Sequence, residues 1–222
     1  MTDSTTEAPR STASAATAVR RGADPATLAA VAEPGVAAAI WVRQLDPGLA
    51  AALATCAPAK LPALRVVLPP ESVAEVVADA VEGAAATAGS GAGLSAGGWG
   101  AALAADVAAL AWRFAGLLDV PRLQLRLDVI DTDACRRFHL DRVRARLLCT
   151  YRGQGTQFGI APPGATPARI DSLALGEVGL FRGALWPAPE PVGLLHRSPP
   201  IAEGGETRLL LVLDAAEDIV AA

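Results

Sequence analysis

The chain has one lysine, Lys60, against eighteen arginines, and it contains no asparagine. Aromatic residues make up only 4% of a sequence that is 52% hydrophobic, so much of the apolar content is alanine. Such a bias reflects a coding sequence rich in G and C more than an unusually large core. No excess of positive charge exists either. The net charge is −4, which recommends neither nucleic acid nor an anionic membrane as a partner. Cysteine is scarce: Cys56, Cys135 and Cys149 are an odd number with no CxxC spacing, which argues against a disulfide framework or a cysteine zinc site. The N-terminus lacks a basic stretch followed by an apolar core and a cleavage site. The longest apolar runs are broken, one by Glu33-Pro34-Gly35 and another by Asp106 and Arg113. No clean run of the roughly 18–20 apolar residues needed for a membrane span is expected. These features predict a soluble cytoplasmic protein, and they leave its oligomeric state open.

What is present divides the chain in three. Residues 1–24 are mostly Thr, Ser and Ala with scattered charge, too poor in large apolar side chains to offset the entropy of ordering, and are expected to be a disordered arm. Residues 25–119 are expected to be mostly helical. Asp24-Pro25 suits a short helix start, and Val36 to Leu45 is ambiguous between strand and helix. Pro69-Pro70-Glu71-Ser72 opens a helix with Val73, Val76, Val77 and Ala80 along one stripe. A second helix is expected over 101–119, with a Gly/Ala/Ser-rich loop over 83–100 between the two. Within that loop Gly91-Ala92-Gly93-Leu94-Ser95-Ala96 matches a dinucleotide fingerprint only loosely, because it follows a helix and no acidic partner is placed to receive a ribose. From Val120-Pro121 onward the texture changes to short apolar runs (LQLRLDVI, RARLLCTY, EVGLFRG, VGLLH, TRLLLVLD) split by Gly, Pro and Asp. Many short strands with turns between them indicate a β-sandwich or small barrel over 120–222.

Both histidines of the chain lie in this β-rich part. In Phe138-His139-Leu140-Asp141 the imidazole and the carboxylate stand two residues apart, which in an extended segment sends both to one face. His196 ends the run VGLL, 55 residues after Asp141. Two imidazoles and a carboxylate form the facial triad that suits Fe(II) and leaves coordination positions open. The plainer reading of each residue is a hydrogen-bonded structural pair for His139 and Asp141, and a loop residue beside Pro199-Pro200 for His196. Arg142, Arg144 and Arg146 alternate and are expected on a solvated outer face, while Cys149 is expected to pack in the core.

The order HxD, strand, Gly-turn strand (LGEVGLF), second His and an Arg opening the last strand resembles that of the Fe(II)/2-oxoglutarate dioxygenases. The chain also resembles the bacterial family known as domain of unknown function 1826, most tellingly in FHLDRVRARLLCTYRGQGTQF and LWPAPEPVGLLHRSPP. The resemblance to the oxygenases implies an α+β protein whose helical N-terminal layer packs on a C-terminal double-stranded β-helix, a jelly-roll or cupin-like barrel. It implies Fe(II) on His139, Asp141 and His196, with 2-oxoglutarate bound through Arg208 and helped by Tyr151. Arg208 follows His196 by twelve positions, slightly more than is usual in that family. Arg197, beside the second ligand, and Trp186, in a lid over the mouth, are the candidates for contact with a small-molecule or other substrate. No catalytic residue beyond the metal ligands is implied. Two other readings stay open: a non-catalytic cupin-like metal-binding protein of metal homeostasis, holding zinc in place of iron, and an interaction domain with a degenerate site.

Overall fold

Strand propensity and burial account for most of what the computed structural model contains; it describes residues 14–87, 97–133 and 135–220. The N-terminal region supplies strands β1 (Ala18–Gly22) and β2 (Val36–Trp41), helix α1 (Pro47–Thr55), strand β3 (Leu64–Leu68) and helices α2 (Val73–Thr87) and α3 (Gly97–Leu118). The remainder supplies β4 (Leu123–Ile130), β5 (Ala145–Arg152), β6 (Gln157–Ile160), β7 (Asp171–Ser172), β8 (Val178–Arg182), β9 (Leu194–Arg197), β10 (Arg208–Ala215) and the short α4 (Ala216–Val220). A seven-stranded sheet runs β1-β2-β8-β5-β10-β4-β3, and a three-stranded sheet runs β7-β6-β9. The chain crosses between them repeatedly. β5 lies in the large sheet, β6 and β7 in the small, β8 in the large, β9 in the small and β10 in the large.

The period-2 alternation of β4, β5 and β10 gives the large sheet two different faces. Leu123, Leu125, Leu127, Leu147, Cys149, Tyr151, Leu209, Leu211 and Leu213 share one buried cluster with Val73, Val77 and Val81 of α2 and Leu103, Val107, Leu110 and Phe114 of α3. This is the outer, helix-covered face. Each large side chain buried there contributes on the order of 1.5–3 kcal/mol. On the opposite face Leu148, Phe181, Leu210 and Val212 meet Phe158, Leu173 and Leu194, forming a second cluster between the sheets. Polar residues interrupt that inner face, and the candidate site lies among them.

Three expectations need correction. The stretch assigned to a disordered arm includes a strand: Ala18–Gly22 pairs in parallel with β2, while residues 1–13 lie outside the described part. Helices take up much of the region 25–119, which also supplies β2 and β3 to opposite sides of the large sheet. Val36–Trp41 is buried almost throughout, and a strand covered on both faces has no polar alternation to announce it. The Gly/Ala-rich segment 83–100 is helical at both ends, since α2 runs to Thr87 and α3 begins at Gly97; alanine favours helix over loop. Its middle, which holds the loose dinucleotide match, lies outside the described residues. By length and composition α3 is apolar enough to cross a membrane, contrary to the sequence expectation, with a mean hydropathy of 1.5 over Gly98–Leu118. Here its apolar stripe packs against the sheet, and Asp106 within it pairs with Arg43.

Candidate metal centre

The two histidines meet because their backbones pair. His139 and His196 form an isolated antiparallel bridge that extends the small sheet. Each accepts the other's N–H at 3.0 Å. Residues directly opposite in such a pair project their side chains to the same side, and the two imidazole centroids lie 4.7 Å apart. Asp141, two residues beyond His139, joins them. One ligand atom from each of the three lies within 4.8 Å of the others.

The donor atoms fit a cation. The carbonyl of Arg137 lies 2.9 Å from His139 Nδ1. A carbonyl only accepts, so Nδ1 carries the proton and the lone pair belongs to Nε2, on the side facing Asp141 Oδ1 at 3.5 Å. His196 Nε2 lies 2.8 Å from Asp141 Oδ2. The approach is off the axis of an N–H···O bond, so Oδ2 is a buried oxygen with no hydrogen-bond partner among the described residues. A buried acceptor left so is costly unless something else fills its place. A divalent cation held by His139, Asp141 and His196 would do so.

The charge states of Asp141 and His196 agree with that fit. Burial alone would raise the Asp141 pKa, but His139, His196 and the Arg146 guanidinium hold it well below the usual carboxylate range. Burial lowers the pKa of His196 and keeps it neutral, as a ligand must be. His139 moves the other way, raised by its contact with Asp141.

Two supports of this centre were not foreseen from the sequence. Arg146, expected on a solvated outer face, points inward. Its Nη1 lies 2.6 Å from Asp141 Oδ1, and its Nε and Nη2 donate to both oxygens of Asp214 at 2.7 and 2.8 Å. Asp214 is fully buried. The second support is the turn after β8. Ala184 N donates to Asp141 O at 2.8 Å, flanked by Gly183 N to Arg144 O and Leu185 N to Val143 O. A Cβ at Gly183 would stand 2.0 Å from Val143 O, so only glycine lets the turn brace the ligand segment this closely.

The centre opens on a cavity of about 320 Å³ between the sheets, walled by Arg126, Leu148, Thr156, Ser198, Leu210 and Val212 together with both histidines. Arg197 also reaches its wall. Its guanidinium donates to Gln157 Oε1 at 2.8 Å and stacks 4.5 Å over Phe138. Arg208 shares the inner face of β10 with Leu210 and Val212 and is fully buried, but it does not itself line the cavity. It donates to Gln154 O, Ser198 Oγ and Thr150 Oγ1 at 2.6, 3.1 and 3.4 Å. The long spacing from His196 is taken up by the loop holding the turn Ala202–Gly204, which Asp133 secures through the N–H groups of Ile201 and Ala202.

Two candidates lie elsewhere. Tyr151 is on the helix-covered face of β5, and its hydroxyl donates to Asp106 of α3. It shares that face with Leu147 and Cys149, so it cannot touch a ligand between the sheets. Trp186 packs against the same outer cluster, beneath the Arg182 guanidinium at 4.8 Å, and is not a lid.

The family described as "Protein of unknown function (DUF1826)" matches residues 22–214, and the chain belongs to it. No curated protein matches the chain. Among solved structures it is similar to a dioxygenase for auxin oxidation from rice, with 14% identity and a TM-score of 0.44 over 81% of this chain and 73% of that one. It is also similar to a prolyl-4-hydroxylase from Pseudomonas putida, with 16% identity and a TM-score of 0.34 over 78% of this chain and 97% of that one.

Proposed function

We propose that this protein is an Fe(II)/2-oxoglutarate-dependent dioxygenase acting on a small molecule in the cytoplasm, built on a double-stranded β-helix. The alternation of successive strands between two sheets supports the fold. The convergence of His139, Asp141 and His196 supports the metal.

The observation that carries the cosubstrate is Arg208. This guanidinium is fully buried, yet only neutral oxygens receive its hydrogen bonds and no carboxylate pairs with it among the described residues. Burial draws its pKa down to about 10. An uncompensated buried cation is costly, and a planar fork of donors is the natural receptor for a carboxylate. The distal carboxylate of 2-oxoglutarate answers that need. A protein that only stores or senses zinc leaves Arg208 without a task, which ranks that reading second.

When bound, Fe(II) and the 2-oxo acid would supply reduction of O2, with one oxygen atom going to the succinate left by loss of CO2 and the other to a C–H bond of the substrate. The chain's own residues do the rest. Arg137 O fixes the tautomer of His139, Arg146 and Asp214 hold the Asp141 carboxylate, and Leu148, Leu210 and Val212 keep water from the cavity wall.

The test is an anaerobic titration of Fe(II)-loaded protein with 2-oxoglutarate. A weak visible charge-transfer band is expected in the wild type and absent in His196→Ala and Arg208→Gln. Metal bound through the three residues, with neither a band nor calorimetric binding of 2-oxoglutarate, would sink the oxygenase reading and promote the metal-handling one.

A further inference from the structure

Three buried side-chain nitrogen or oxygen atoms have no hydrogen-bond partner among the described residues: Asp141 Oδ2, His196 Nδ1 and Arg126 Nε. All three belong to one place. His196 and Arg126 line the same cavity, and Asp141 lies against His196. The metal accounts for the first atom. It leaves His196 Nδ1, a buried N–H once Nε2 coordinates, and Arg126 Nε without a partner among the described residues. Buried donors are satisfied as a rule, and clustered exceptions mark where a ligand belongs.

Sheet register places Arg126 with care. On the inner face it stands in one row with Val212 of β10, and Val212 stands opposite Leu148 of β5. The adjoining row holds Gln124, Asp214 and Arg146, the last being the clamp on Asp141. Arg208 lies four residues back along β10, roughly 13 Å away at strand spacing. The two guanidiniums are therefore separate receptors. Among the described residues the ionic neighbour of Arg126 is Asp128, with Nη1 at 3.7 Å from Oδ2, well beyond the roughly 2.7–2.9 Å of a charge-assisted hydrogen bond. That contact engages Nη1 and leaves Nε, a buried donor without a hydrogen-bond partner among the described residues, for a carboxylate.

We infer that Arg126 is the substrate anchor: it receives the carboxylate of a small organic acid whose short apolar chain lies along Leu148, Leu210 and Val212. This rests on the reading of the cavity as the substrate space of the proposed oxygenase, with Arg208 reserved for the cosubstrate. It gives the substrate class as monocarboxylic acids small enough for a cavity of about 320 Å³, in which Asp128 and Asp131 also take part in the lining.

The full chain is titrated by calorimetry with straight-chain acids from butanoate to octanoate and with the matching primary amides. Titrations are run on metal-free protein and on zinc-loaded protein saturated with 2-oxoglutarate. At least one acid is expected to bind ~10-fold or more tightly than its amide under both conditions, as one charge-assisted pair provides. Arg126→Gln loses that preference and Arg208→Gln keeps it. Arg126→Lys, which retains the charge but not the fork, weakens it and serves if the glutamine variant does not fold. The inference is overturned if no acid binds, if Arg126→Gln leaves the preference intact, or if it vanishes in Arg208→Gln or on adding 2-oxoglutarate. Should 2-oxoglutarate itself not bind while the Arg126-dependent preference persists, the cosubstrate reading falls and this one stands.

Discussion

Arg146 lies against one oxygen of Asp141 and leaves the other free: Nη1 is 2.6 Å from Oδ1, while Oδ2 lacks a hydrogen-bond partner. The carboxylate is thereby set to offer a single oxygen to a metal, and the opposite side of the guanidinium is locked on Asp214. Replacing Arg146 by Met is expected to weaken zinc or Fe(II) binding by about 10–100-fold, the usual effect of removing a group that orients a ligand. It also strands Asp214, which should cost about 3–5 kcal/mol in denaturant unfolding. The double change Arg146→Met with Asp214→Asn is expected to recover most of the stability but not the metal affinity. Affinity restored along with stability would show that Arg146 serves only the fold.

Gly153 is placed to test Arg208 without touching its charge. The glycine has φ +80°, and a Cβ there would stand 2.8 Å from Arg208 Cγ and 3.1 Å from Thr207 O. Gly153→Ala is expected to cost about 1–3 kcal/mol, from the strained backbone and the contact together. It should also shift the Arg208 guanidinium and weaken 2-oxoglutarate binding severalfold, with metal content unchanged. Binding equal to wild type in a folded variant would mean that the position of Arg208 is immaterial to the cosubstrate.

Much of this site was legible because strands have period two. HxD spacing places His139 and Asp141 on one face without knowledge of the fold, and the run TRLLLVLD marks Arg208 as the opening of a strand. Parity, however, does not say which face is inside. Tyr151 shares its face with Leu147 and Cys149, as the sequence indicates, but only the packing of α3 on that face shows that it looks away from the metal. Arg146 was misplaced for the same reason, and its partner Asp214 is 68 residues distant, beyond any local pattern. Arg126 did leave a trace: in LQLRLDVI the polar Gln124, Arg126 and Asp128 alternate with leucines, which marks one polar and one apolar face of the strand. Strand β2 left none, since VAAAI is buried on both sides.

Tyr151→Phe separates the two faces. The hydroxyl donates to Asp106, which also holds Arg43 at 2.7 Å, and burial pushes the tyrosine pKa well above its ordinary value. Loss of a buried hydrogen bond to a charged group should cost about 1.5–3 kcal/mol in unfolding experiments. Metal content and 2-oxoglutarate affinity are expected to be unchanged. A selective loss of cosubstrate affinity would return Tyr151 to the site.

The last prediction concerns pH, and its sign follows from opposite shifts on the two histidines. His139 is raised above 6.5 by Asp141, so in metal-free protein it contributes stability that is fully present below about pH 6.5 and lost as pH rises through its folded value. His196 is lowered by burial. It takes up a proton more readily when unfolded and withdraws stability as pH falls below about 6.5. The two effects act in adjacent windows, so the histidine contribution to the stability of metal-free protein should be greatest near about pH 6.5 and fall away on either side. Metal binding changes that profile, because both imidazoles must be neutral to coordinate and protons then compete at both. The melting temperature gained on adding zinc is therefore expected to shrink steadily from about pH 8 to about pH 5.5, where histidine protonation takes over. His139 should set the upper end of that decline, since its proton is the harder to displace. The measurement is thermal unfolding with and without zinc across that range. A gain constant down to about pH 5.5 would mean that zinc is held by groups other than these imidazoles.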